Sequence, residues 1–410
     1  MRHGRSLAAI LAAALVLGAA GLLPARVDEA AKLVEEVRGR KFERAIPASE
    51  MGPEELRRVL RSKLAEGFPA SPEDTLRSLA ALGLVEAAPN LLERLLDFYA
   101  SQVVAFYDPE PRRFYLVRGA ETPFGGTAME DLAERLILAH ELTHALQDEA
   151  LRLDRRFEEL RDNTDRTLAL QSLLEGEATL VMVRAALLNL PGADEETEEM
   201  IGPLLSAGAL ERANVPKDIP EYFVDQLFFP YVEGTAFVRR AVKRGGWPEV
   251  DRLWRSPPLS TSEILHEGPA PPPAEDLLPG PHAALAPSGA RFLYADTLGE
   301  WTIRFLLRRT LEPEEADAAS AGWRGDRLAF FSSGAKIAFL WRLRFESPGA
   351  AARFEGAWTK SRQPGGPGDR EVSRSDWPGR REIVSRRGCE LAVASGFARL
   401  PKLPGFPAGR

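Results

Sequence analysis

The chain has 410 residues, enough for two or three domains of ordinary size and a sizeable core. Its formal net charge of −7 excludes a global attraction to nucleic acid or to anionic lipid. Charged residues make up 28% of the chain and mix both signs throughout, as on a solvated globular surface rather than a charged tail.

The first segment, residues 1–25, reads as a targeting sequence. Met1 to Arg5 is a short basic stretch, and Leu7 to Leu23 carries no charge. This is the pattern of a Sec-type signal peptide, with small residues near Ala19–Ala25 as cleavage points. The expectation is an exported chain, periplasmic or secreted. The alternative is an uncleaved N-terminal membrane anchor, because the apolar run sits at the low end of a membrane span. No cysteine lies near it, which excludes a lipoprotein anchor. The only cysteine, Cys389, has no intramolecular disulfide partner, and its apolar surroundings (GCELAVASGF) predict a buried thiol.

Residues 27–102 read as a helical region, with apolar residues at three- and four-residue steps and Pro53, Pro72 and Pro89 near helix starts. Residues 102–107 and 113–117 are short β-branched and aromatic runs around the turn signal Asp108-Pro-Glu-Pro111, which predicts a β-hairpin. A loop with Gly125-Gly126 follows. Long helices are expected over 130–153 and 164–190, with further helices over 219–245 and 248–256. Residues 268–290 are rich in proline and alanine and read as a linker. Residues 291–410 alternate helical and strand patterns, with hairpins over 326–345 and 381–395, as a separate α+β module. The fold class expected for the whole is α+β and helix-rich.

The chemistry concentrates at His140-Glu141-Leu142-Thr143-His144. The chain has only five histidines, yet two stand here, four apart. On a helix that spacing puts both on one face, able to share a metal ion, with Glu141 one step round as a general base for a water in the ion's open position. With so few histidines the pattern is expected by chance about 0.005 times. A catalytic zinc ion usually takes a third protein ligand. No third histidine follows nearby, but the next helix offers Leu173-Leu-Glu175-Gly-Glu177-Ala178.

These residues resemble the gluzincins, the zinc metallopeptidases of zincin fold that carry HExxH on one helix and a glutamate ligand on the next. The resemblance covers roughly 103–180 and, more weakly, extends to 266. It implies a zincin-like catalytic domain over 103–267 that binds Zn2+ through His140, His144 and Glu175, uses Glu141 as the general base and acts on a peptide or protein substrate. Glu175-Gly-Glu-Ala178 aligns with the family's Glu-Gly-Phe-Ala, which favours Glu175 over Glu177, and Gly176 would let the two metal helices approach closely. The family's thermolysin-like members orient the first histidine with an aspartate where this chain has Thr179. Asp148 could do similar work for His144. The family's oxyanion donor is a Tyr or His from later in the chain, here Tyr231 or His266, with Tyr222 and His282 as spares. The hairpin over 102–117 falls where zincins keep the edge strand that pairs with substrate.

More loosely, FYDPEPRRFYLV, HELTHALQDE, LLEGEATLV and PPLSTSEILH are similar to exported bacterial zincin-like proteins. Two other readings use the same residues. One is a zincin scaffold at the cell surface that binds without turnover. The other is a di-iron carboxylate bundle built on Glu141–His144 and on the second ExxH, Glu263–His266. Against the second, Glu263–His266 lies among prolines and serines, and His140 would have no role.

Overall fold

The computed structural model describes residues 23–119, 130–188, 190, 192–193, 196–200, 215–268, 271–275, 277–278, 280–362, 382–397, 401 and 403. The signal-like run lies outside these residues except for Leu23, as does Gly125-Gly126. Among the described residues no helix is long and apolar enough to cross a membrane. The fold is α+β, in two compact units: residues 1–68, 89–161 and 167–258 form the first, and residues 69–88, 162–166 and 259–410 the second. The helices of 27–68 thus share a unit with HELTH, while 69–88 belong to the other.

The first unit holds helices α1 (Leu23–Arg38), α2 (Pro53–Gly67) and α4 (Leu91–Gln102), while α3 (Pro72–Leu82) lies in the second. Prolines stand at the first turns of α2 and α3, where a missing N–H costs nothing. A small sheet of order β1-β3-β2 joins β1 (Ala48–Met51), β2 (Ala105–Asp108) and β3 (Arg113–Val117). The hairpin β2–β3 falls where the sequence predicts it, with Asp108 opposite Arg113. Strand β1, parallel to β3, lies inside the stretch read as helical. Its four residues are too short for a period to show.

Next come α5 (Glu130–Leu151), α6 (Leu153–Glu159), α7 (Thr164–Leu187) and α8 (Glu221–Arg255). The first turn of α7 is counted with the second unit. Helix α8 is broken at Gly245-Gly246, whose backbone is not helical, so the expected pair of helices is present as one kinked run. Within α5, Leu136, Ala139, Leu142, Ala145 and Leu146 are all buried.

The second unit is built on a five-stranded antiparallel sheet of order β4-β5-β6-β8-β7, from β4 (Arg291–Asp296), β5 (Trp323–Ser333), β6 (Lys336–Phe345), β7 (Glu382–Arg387) and β8 (Glu390–Ser395). Besides α3, its helices are α9 (Thr261–Leu265), α10 (Gly299–Arg308), α11 (Pro313–Ser320) and α12 (Pro348–Ser361). The β5–β6 hairpin turns between Ser333 and Lys336, as the Ser-Gly pair predicts. Phe354 and Trp358 of α12 are buried with Trp341 and Phe345 of the sheet. Cys389 is only half-buried, contrary to expectation, because it stands in the β7–β8 turn rather than in a strand. The Pro-rich stretch is not wholly irregular: it holds a short 3-10 turn, His282–Leu285.

Candidate metal centre

Helix α5 carries His140 and His144 one turn apart, and α7 brings Glu175 to both. His140 Nε2 lies 3.1 Å from Glu175 Oε2, and His144 Nε2 lies 3.4 Å from the same oxygen. The two Nε2 atoms are 3.3 Å apart. A tetrahedral ion with bonds of about 2.0–2.1 Å separates its ligand atoms by about 3.3 Å. The three distances match that edge length, so the three side chains could hold a metal ion together. Among the described residues no other group of three or more His, Cys, Asp or Glu side chains is placed to hold an ion.

All three side chains are buried, and so is Glu141. Tyr107 of β2 stands opposite Phe114 in the antiparallel pair. Val117 N–H bonds Val104 O, which makes Tyr107 a residue whose backbone groups face away from β3. Its N–H donates to Glu141 Oε2 at 3.2 Å. Glu141 Oε1 is buried with no partner. One oxygen of this carboxylate is therefore held and the other is left open.

Burial pushes the Glu141 carboxyl up to about 8 and depresses His140. Burial also opposes charge on His144, yet Glu175, Glu141 and Gln147 together raise it to about 9. Against the same burial, the two imidazoles bring Glu175 down to about 2. The signs divide the carboxylates: the two imidazoles hold Glu175 down, while burial holds Glu141 up.

Tyr231 of α8 meets this group. Its ring lies over His140 with centroids 6.0 Å apart and planes 17° from parallel. The helices that carry Glu175 and Tyr231 touch backbone to backbone. A Cβ on Gly176 would stand 2.2 Å from the Gly234 carbonyl, and one on Gly234 would stand 2.1 Å from Ser172 O. Gly176 thus serves the approach of α8 to α7, not of α5 to α7 as the sequence suggested. Periodicity shows which face a small residue occupies, not which neighbour it meets.

His266 belongs to the second unit, where its Nε2 lies 2.6 Å from Glu300 Oε1. None of its recorded partners is a metal ligand. Glu263 accepts from Leu259 N–H, so the second ExxH is spent on a loop and an ion pair. Tyr222 accepts weakly from Gln226, and His282 bonds Leu278 O.

Two expectations about supporting residues change. Asp148 does not orient His144. It accepts from Tyr107 Oη at 3.0 Å and from Leu153 N–H at 2.9 Å, tying β2 to the start of α6. Gln147, which the sequence reading passed over, lies 2.9 Å from His144 Nδ1. Glu177, the fallback ligand, is occupied by Arg38, Gln147 and Trp254. Thr179 Oγ1 and His140 Nδ1 are both buried without a hydrogen-bond partner.

Residues 291–396, which hold the five-stranded sheet and helices α10 to α12, are similar to the family described as Domain of unknown function (DUF8575). No curated protein and no solved structure matches the chain.

Proposed function

We propose that the chain is a gluzincin-like zinc peptidase of zincin type, exported by its N-terminal segment and acting on a peptide or protein substrate. The observation that carries this reading is the near-equilateral set of His140 Nε2, His144 Nε2 and Glu175 Oε2, with the open Glu141 Oε1 beside it. Zinc, when bound, supplies a Lewis acid that acidifies water and polarises a carbonyl.

The chain's own groups divide the remaining work. Tyr107 N–H fixes Glu141 Oε2, so Oε1 is the atom that takes a proton from the attacking water and passes it to the departing amine. A carboxyl raised to about 8 is suited to both halves of that transfer. Tyr231, against His140, is the phenol we assign to donate to the oxyanion as charge builds on the former carbonyl. Strand β2 ends its sheet, but all four of its residues are buried and Tyr107 N–H is already committed to Glu141 Oε2, so we do not assign it as the edge that pairs with substrate. The absence of a second metal-type cluster among the described residues weighs against the di-iron reading.

The test is zinc content followed by hydrolysis. The purified chain should hold one zinc ion and cleave a denatured protein or peptide pool. A chelator should stop cleavage and added zinc should restore it. A zinc-loaded chain that leaves every peptide intact would replace this reading with a metal-bound scaffold without turnover.

A further inference from the structure

A buried chain of polar groups runs from His144 away from the metal face. Gln147 Oε1 lies 2.9 Å from His144 Nδ1. The amide nitrogen of Gln147 donates to Leu174 O at 3.0 Å and to Glu177 Oε2 at 2.9 Å. Glu177 Oε2 also accepts from Trp254 Nε1 at 2.7 Å, and its Oε1 accepts from Arg38 Nε at 2.5 Å. Arg38 reaches Asp251 Oδ1 with a second nitrogen and stands over the rings of Trp247 and Trp254, 4.5 and 4.9 Å from their centroids. Gln147 and Glu177 are wholly buried and Arg38 is 2% exposed.

This network leaves one orientation for the Gln147 amide. Both of its N–H groups face acceptors, a carbonyl and a carboxylate. Turning the amide over would set its oxygen against those two acceptors and its NH2 against the imidazole. The oxygen must therefore face His144, and an oxygen there needs a proton on Nδ1. A proton on Nδ1 leaves the Nε2 lone pair directed at His140 and Glu175, where a metal would be held.

We propose that Glu177 and Gln147 are positioning residues for His144. Arg38 anchors Glu177, Glu177 sets the Gln147 amide, and Gln147 holds the His144 tautomer that ligates. The proposal rests on the metal-centre reading above. It gives the second glutamate of Glu175-Gly-Glu177 a task without making it a ligand. The acceptor for this histidine is thus a neutral amide, and the nearest fixed positive charge is two residues further along the chain of contacts.

The experiment compares wild type with Glu177→Gln and Gln147→Met. Three donors converge on Glu177, so an amide in its place must turn its own NH2 toward one of them. Turned toward Gln147 and Trp254, that NH2 releases or flips the Gln147 amide; turned toward Arg38, it breaks the anchor that sets the side chain for Gln147. Gln147→Met keeps the length of the side chain and removes the acceptor. Zinc affinity, measured by competition with a chelator, should fall about 10–100-fold in each variant. In the zinc-loaded wild type the His144 Nδ1 proton should give a slowly exchanging, downfield NMR signal that the variants lose or shift. A merely structural role would leave that signal in place in any variant that folds. If Gln147→Met does not fold, Glu177→Gln and the wild-type signal decide the matter. Variant affinities within about twofold of wild type, or a wild-type Nδ1 proton that exchanges freely, would overturn the proposal alone. A wild type that binds no zinc would overturn the metal centre and this inference with it.

Discussion

Glu141 in the first unit and Asp326 in the second are both carboxylates at 1% exposure, yet their surroundings differ. Asp326 accepts four hydrogen bonds, from Leu298 N–H, Gly299 N–H, Trp323 Nε1 and Trp341 Nε1. Glu141 accepts one, from Tyr107 N–H. Burial raises both. The four donors spend Asp326 on structure: it closes the first turn of α10 and ties two strands of the sheet through their indoles. The single donor on Glu141 leaves one oxygen uncommitted, and an uncommitted buried oxygen is what proton transfer requires. The lesson is that burial of a charge says little by itself, while the count of donors closing on it separates a structural carboxylate from a reactive one.

The largest expected effect is at Glu141. Glu141→Gln keeps the Tyr107 contact and removes the proton acceptor, so turnover should fall about 10²–10⁴-fold while zinc content stays at one per chain. Metal analysis beside a peptide-cleavage assay checks this, and undiminished cleavage would remove Glu141 as the base. The matching change in the second unit, Asp326→Ala, should leave metal content unchanged and destabilise the chain by about 3–5 kcal/mol, since each buried donor left unpaired costs about 1–3 kcal/mol before relaxation. Urea unfolding measures it. A loss below about 1 kcal/mol would show the four hydrogen bonds to be weak.

Between these extremes stand the residues that place Tyr231. Tyr231→Phe should lower turnover about 10²–10³-fold with zinc retained, as for loss of an oxyanion donor. Gly234→Ala adds one methyl where Ser172 O already stands 2.1 Å away, so α7 and α8 must part. We expect about 1–3 kcal/mol of lost stability together with a loss of turnover, because the same shift draws Tyr231 off His140. Stability lost without any change in kcat would mean that the helix contact is structural only.

The parts legible in the sequence were those written in short spacings. Two histidines four apart, a glutamate on the next long helix, a hairpin around Asp-Pro-Glu-Pro and another around Ser-Gly each carry their geometry locally, and the structure has them at those residues, with the short α6 intervening between the two long helices. What the sequence did not disclose depends on neighbours distant in the chain. Gln147 is an unremarked polar residue until Leu174 and Glu177 fix its amide. Asp148, one residue on, stands at a spacing equally able to reach His144, but Tyr107 Oη and Leu153 N–H claim its carboxylate. His266 looks like a catalytic imidazole by scarcity alone, and its Glu300 partner lies 34 residues away. A signal existed for Gln147: it follows His144 by three residues, the spacing at which helical side chains meet.

The remaining effect is a pH dependence, and it concerns a carboxylate intermediate between Glu141 and Asp326. Asp165 is buried; its Oδ1 accepts from Thr261 N–H and Thr261 Oγ1, while Oδ2 has no partner. Burial, with Asp326 and Glu300 nearby, pushes its carboxyl up to about 8. Unfolded, the same carboxyl titrates near about 3.9. Between those values the folded chain holds a proton that the unfolded chain has released. Stability from this residue is therefore full below about pH 4 and is lost as pH rises through about 8, at up to about 1.4 kcal/mol per pH unit. Asp165→Asn puts an oxygen where Oδ1 accepts and a permanent donor where the acid carries its proton. The variant should fold and should show a flatter decline of its urea midpoint between about pH 5 and about pH 8 than wild type. Equal slopes in the two proteins would mean that Asp165 is ionised in the folded chain. Its open oxygen would then resemble that of Glu141 more closely than the comparison allows.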